Sequence, residues 1–274
     1  MASIKGNTKL SQPKNINSGY ESASEKLQKK KKQLISDFIT GKERSFMERH
    51  SRILNNYFIE KFESSIVDPK IDIDKNPYAI IALGGYGREE QCIHSDVDLL
   101  FLFEKNVPDE ADDIIQEIVY PLWDIGLDVG HSTRSLKECV SISGEDFVIL
   151  NSVLDARFIC GMSILYSELM KQIREKVING QSNKIINWLV ESNLSRHKHF
   201  GDSAYLLEPK IKEGEGGLRD YHTMLWIARI KYNIKQPRDL EYFGCLSHGE
   251  FQVLKKALSF IWEVRNRLHY IAGF

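Results

Sequence analysis

The sequence predicts an α+β protein: a small mixed β-sheet with flanking helices, followed by an all-helical part. Three observations lead there. Two short apolar runs, 78–83 and 97–103, are bounded by glycine or aspartate, too short for helices and apolar enough for buried strands. Hydrophobic residues recur every three or four positions between Glu21 and about Ser65. The same spacing returns from Phe147 onward, with one glycine-bearing interruption between about Gly201 and Gly217.

Residues 1–18 mix Ser, Asn, Gly, Lys and Pro without periodicity and read as a mobile tail. A first domain is expected over 19–146. Its opening helices carry Leu27, Leu34, Phe38 and Ile39, then Phe46, Ile53, Leu54, Phe58 and Phe62, with Gly41 separating them. Lys29 to Lys32 wrap a helix surface and read as a solvated face. The run 78–83 is the first strand and 97–103 the second, 109–123 has helical spacing, and Leu127-Asp128-Val129 is a short third strand. A second, all-helical domain is expected over 147–274, with helices at 149–159, 164–177, 185–199, 221–232 and 250–270 and no internal repeat.

Composition narrows the function. With 37 Lys and Arg against 38 Asp and Glu, the net charge of -1 provides no general field for nucleic acid or anionic membrane, so any phosphate-binding surface must be local. The four cysteines are far apart with no CxxC pair, which fits free thiols in a reducing compartment and argues against structural zinc. No run is apolar enough to span a bilayer and the first residues lack a signal-peptide core; a cytoplasmic location is expected.

The chemistry concentrates in one stretch. A strand ending at Gly84-Gly85-Tyr86-Gly87 can turn sharply and present bare backbone N–H groups to a phosphate. The pattern is neither a P-loop nor a dinucleotide fingerprint. On the next strand, Asp96 and Asp98 are two residues apart and point to the same side. Two such carboxylates repel each other unless a hard cation sits between them, and magnesium favours a few carboxylates plus substrate phosphates. Asp128, between Leu127 and Val129, is the candidate third carboxylate of a metal site.

These residues resemble the nucleotidyltransferase superfamily typified by DNA polymerase beta. Within it, Gly84 to Glu90 followed by Ser95-Asp96-Val97-Asp98-Leu99-Leu100, then 128–134, 208–212 and Gly216 to Thr223, resemble the bacterial PII-protein uridylyltransferases. The resemblance implies Mg2+ or Mn2+ on Asp96, Asp98 and Asp128, UTP as donor, a tyrosine of a PII-type protein as acceptor and pyrophosphate as product. It also implies nucleotide contacts from Gly84, Gly85, Arg88, Ser95, Arg134, Lys212 and Arg219. In the glycine-rich stretch before the 221–232 helix, Asp220 suits an N-cap.

The sequence departs from the family at Glu89, where a glycine is usual, and at 91–94, where an apolar residue and a proline are common. Family members continue with a phosphohydrolase domain and glutamine-sensing domains. No His-Asp dipeptide occurs here, so this stretch is expected to be a piece of a longer chain without uridylyl removal. AMP transfer from ATP to another acceptor, and a nucleotide-binding module without turnover, are the alternatives. Nucleic acid and membrane are not expected partners.

Overall fold

The computed structural model describes residues 21–67, 75–200 and 210–273; the expected tail over 1–18 lies outside them, as does 201–209. Helices α1 (Ala23–Ile39) and α2 (Phe46–Glu63) open the fold. Ser22 sets the start of α1 through a capping box, accepting the Glu25 N–H at 3.2 Å while the Glu25 carboxylate accepts the Ser22 N–H at 2.8 Å.

Four strands follow: β1 (Tyr78–Ala82), β2 (Val97–Phe103), β3 (Val129–Ser135) and β4 (Arg157–Gly161). They form one sheet in the order β3-β2-β1-β4. The pairs β1/β2 and β1/β4 are antiparallel and β2/β3 is parallel, so the sheet is mixed, as the sequence predicts. Between strands lie the single turn α3 (Gly84–Gly87), α4 (Ala111–Ile118), α5 (Tyr120–Asp124), α6 (Leu136–Glu145) and α7 (Phe147–Leu154). The expected helix over 109–123 is thus divided near Pro121, which has no N–H to continue the ladder.

Two expectations fail. The third strand, expected at Leu127-Asp128-Val129, runs Val129–Ser135, so Leu127 and Asp128 precede it. The helix predicted over 149–159 ends at Leu154, and Arg157–Gly161 is a strand that adds to β1. Phe158-Ile159-Cys160 suits either period, and pairing with a buried neighbour strand decides it. The sheet therefore draws its last strand from beyond residue 147, and the helical part follows it. That part comprises α8 (Ser163–Gln172), a π-helical turn (Ile173–Ile178), α9 (Asn179–Phe200), α10 (Leu218–Tyr232), α11 (Asp239–Tyr242) and α12 (His248–Ala272). Among the described residues no helix is long and apolar enough to cross a membrane.

Both sheet faces are covered. Tyr78, Ile80, Leu99, Phe101 and Phe103 pack with Leu54 and Phe58 of α2 and Ile114 and Ile118 of α4. Ala79, Ile81, Leu100 and Leu102 pack with Leu150, Leu165, Ile185 and Trp226 of the later helices. This double cover is why β2 is apolar almost throughout. By strand alternation Asp98 belongs to the face of Leu100 and Leu102, toward the later helices.

Candidate active site

The site begins where β1 ends. The Leu83 amide donates to the Asp98 carbonyl at 2.9 Å, which pins the glycine turn beside β2. Gly84 takes φ +50°, a conformation glycine adopts without penalty. The first amides of the turn have no acceptor behind them and are available to an anion.

The Asp98 carboxylate lies over two glycines. A Cβ at Gly84 would sit 3.2 Å from its Oδ2, and a Cβ at Gly130 2.9 Å from its Oδ1. Gly130 is the β3 partner of Asp98, so the parallel pairing brings this second glycine under the carboxylate. Burial pushes the Asp98 carboxyl above its usual range and Asp96 pushes the same way, partly offset by Lys212 and Arg88. A half-buried carboxylate held close to another has a demand for positive charge, and the pair fits a magnesium ion that takes its remaining ligands from phosphate and water. No three His, Cys, Asp or Glu side chains among the described residues are gathered closely enough to hold a metal by themselves.

Gly84, Gly85, Arg88, Ser95, Asp96, Asp98, Lys212 and Arg219 line one cleft of about 480 Å3 between the sheet and the helices. Asp128 and Arg134 do not line it. Asp128 is exposed just before β3, and its carbonyl accepts the Val97 N–H at 2.8 Å; this carries the β2/β3 pairing back toward Asp96. Arg134 pairs with Leu102, four residues up the strand from Asp98, or about 13 Å along it.

Each lining cation has a different status. Arg88 is largely shielded from solvent and ion-paired to both Glu90 and Asp155. Arg219 pairs with Glu213 at 3.0 Å and lies over the Trp226 ring. Burial, with help from Arg219 and Arg265, pushes Lys212 below the usual lysine range. Arg265 of α12, whose guanidinium lies over the Trp262 ring, also lines the cleft and was not visible in the motifs. Mutual repulsion among these cations beside Asp98 suits an anionic ligand. Lys31, expected on a solvated face with its neighbours, is instead half-buried; desolvation lowers its pKa to about 8, and Asp128 opposes this.

A buried network behind the cleft also escaped the sequence. Asp155, 3 % exposed, accepts from Arg88, from Arg229 and from Trp226 Nε1, the last at 3.0 Å. Glu90 accepts from His222 Nε2 at 2.8 Å. Burial raises the Glu90 pKa, but Arg88 and His222 outweigh it and hold the carboxyl below its usual range; burial also holds His222 low. Arg88, Glu90 and His222 stand inside the motif segments, whereas nothing in the sequence marks Asp155, Trp226 or Arg229.

Two further expectations change. Asp220 is not the N-cap of α10; Gly217 is, and the Asp220 carboxylate sits in the first turn, accepting the Gly216 N–H at 2.7 Å and pairing with Arg196. Glu89 occupies φ +60°, a left-handed position where a glycine costs least, and its side chain reaches toward Arg157 at 3.8 Å without lining the cleft.

Comparison with known proteins matches both halves of the chain. Residues 184–273 match the family model described as GlnD PII-uridylyltransferase, and 28–130 match the one described as "Putative nucleotidyltransferase DUF294". A bifunctional uridylyltransferase/uridylyl-removing enzyme of Cereibacter sphaeroides is 40% identical over 195 residues, 71% of this chain and 21% of that relative. The chain spans about a fifth of the length of that curated relative.

Proposed function

The chain is a relative of the PII-uridylyltransferases, and on that premise we propose that it transfers UMP from UTP to a tyrosine hydroxyl of a PII-type protein, releasing pyrophosphate. The observation that carries the reading is the Asp96/Asp98 pair, one carboxylate half-buried over two glycines, opposite Lys212 and Arg265. Asp96 and Asp98 would hold Mg2+ or Mn2+, which would supply positive charge against the triphosphate and the leaving pyrophosphate; Asp128, expected as a third ligand, lies outside the cleft and is not gathered with them. The Gly84 and Gly85 turn, Ser95, Lys212, Arg219 and Arg265 orient the phosphates. Arg88 acts from behind, fixing the glycine turn through Asp155. Arg134 lies farther up β3 and contributes to nucleotide contacts only at that distance. Asp128, exposed beside the start of β2, would draw the proton from the acceptor hydroxyl. The proposed setting is the cytoplasm, with neither nucleic acid nor membrane as a partner.

The test incubates the chain with α-labelled UTP or ATP, a PII protein and magnesium. Label from UTP on PII, absent with Asp98→Asn, supports the reading. Label from ATP alone redirects the donor toward adenylyl transfer. A rise in melting temperature with either nucleotide but no label assigns binding without turnover.

A further inference from the structure

We propose that the wall of the cleft formed by α7 and α9 is a nucleobase site, and that Asn151 reads the imide edge of a uracil there. The inference rests on the donor reading above and specifies how that donor is chosen.

Asn151 lines the cleft yet is only 8 % exposed, and its Oδ1 has no hydrogen-bond partner. Orphaned buried acceptors are rare in native proteins, and one at the edge of a cleft points to a ligand that supplies the donor. Its place along the cleft suits a base. Asn151 lies one helical turn before Asp155, on the same face of α7, and the Asp155 carbonyl abuts Gly87, where a Cβ would meet it at 2.0 Å. Asn151 is therefore about one turn, 5.4 Å along the α7 axis, from the residue that abuts the glycine turn, and it lines the same cleft as that turn.

The surfaces around it are those a planar ring needs. Val148 is 62 % exposed although apolar, and it lines the cleft one turn farther along α7. Trp188 of α9 lines the same wall and is held edge-on by Phe147 at 5.6 Å and 72°. Aromatic and branched aliphatic faces hold a base by stacking without regard to its identity, so identity must come from polar groups. The orphan here is an acceptor, and donors accompany it: the amino group of Asn151 itself and the Ser192 hydroxyl on α9. A uracil imide presents one N–H between two carbonyl oxygens, which matches one acceptor accompanied by donors. Adenine offers these donors one ring acceptor beside its amino group, and cytosine carries its donor at the end of the edge rather than between two acceptors, so the order acceptor-donor-acceptor is uracil's.

The test measures binding of UTP, N3-methyl-UTP and inorganic tripolyphosphate to the chain in magnesium, for wild type and Asn151→Ala, with folding of the variant checked by thermal melting. The expected result is that N3-methyl-UTP binds wild type about tenfold or more weakly than UTP. Asn151→Ala is expected to lose a similar factor on UTP, to stop distinguishing the two nucleotides, and to bind tripolyphosphate as wild type does. Equal binding of UTP and N3-methyl-UTP to wild type overturns the proposal without any variant. So does a variant that still distinguishes them, or UTP binding no tighter than tripolyphosphate; in that last case the triphosphate site stands and the base site falls. If neither UTP nor tripolyphosphate binds, the donor reading itself fails and this inference falls with it.

Discussion

At the scale of single residues, Asp98 carries the most. Its carboxyl pKa is raised by burial and by Asp96, so the folded chain gives up that proton at higher pH than the unfolded chain does, and ionised Asp98 costs stability. Asp98→Asn should therefore raise the melting temperature in metal-free buffer at neutral pH, and the gain should vanish as pH falls through the raised pKa. The same variant should lose about a hundredfold or more of transfer rate, since removing one group that stabilises charge in the transition state has that effect. A variant less stable than wild type under those conditions contradicts the burial argument. Glu89 gives a second prediction. A residue other than glycine in the left-handed region costs about 1 kcal/mol, so Glu89→Gly should stabilise the fold by up to that amount, or roughly 2–4 °C, with no change in nucleotide binding. A thermal melt and a binding titration check both halves. Asp96, Asp98 and Gly84 stood out in sequence because a closely spaced carboxylate pair and a glycine pair need no partner to be recognised, although β2 begins only at Val97 and leaves Asp96 just before it. Asn151, Arg265 and Gly130 were not. Their roles come from what other segments bring near them, and nothing in their own neighbourhoods announces it.

At the scale of elements, the β1 turn, β2 and the parallel β3 hold the carboxylates, and α10 fastens them to the helical part through Asp155 and Glu90. Strands β1 and β2 were legible from apolar runs with sharp ends, and α10 and α12 from long periodic spacing. Strand β4 was missed because five residues give no separation between period 2 and period 3.6, and its pairing with β1 is a tertiary fact. Asp155 ties these elements together. Asp155→Ala would leave Arg88 and Arg229, both largely shielded from solvent, without their shared partner, which should cost about 3 kcal/mol in chemical denaturation. It should also weaken nucleotide binding, because Arg88 no longer anchors the glycine turn. A loss under 1 kcal/mol would show that the pair is replaceable and the network incidental.

At the scale of the whole molecule, the sheet and the later helices line a polar cleft, and the fold's stability should have an acid limit. His50 is buried on α2, where it donates through Nδ1 to the Gln91 carbonyl at 3.2 Å. Burial, with Lys31 nearby, lowers its pKa to about 3. The unfolded chain therefore takes up this proton near pH 6.5 while the folded chain refuses it until about pH 3. Stability should be flat above 6.5 and fall below it by about 1.4 kcal/mol per pH unit from this residue, with His222 acting in the same direction. Denaturation midpoints against pH should show a shallower acid limb in His50→Phe. The central claim is that Asp96 and Asp98 hold a metal-bound triphosphate, and the most direct measurement is the dissociation constant of UTP with and without magnesium. Wild type should bind UTP at least about tenfold tighter with magnesium, and Asp98→Asn should lose that gain while keeping the magnesium-free affinity. If Asp98→Asn binds magnesium-UTP as tightly as wild type does, the carboxylate pair does not hold the metal and the account fails at its centre.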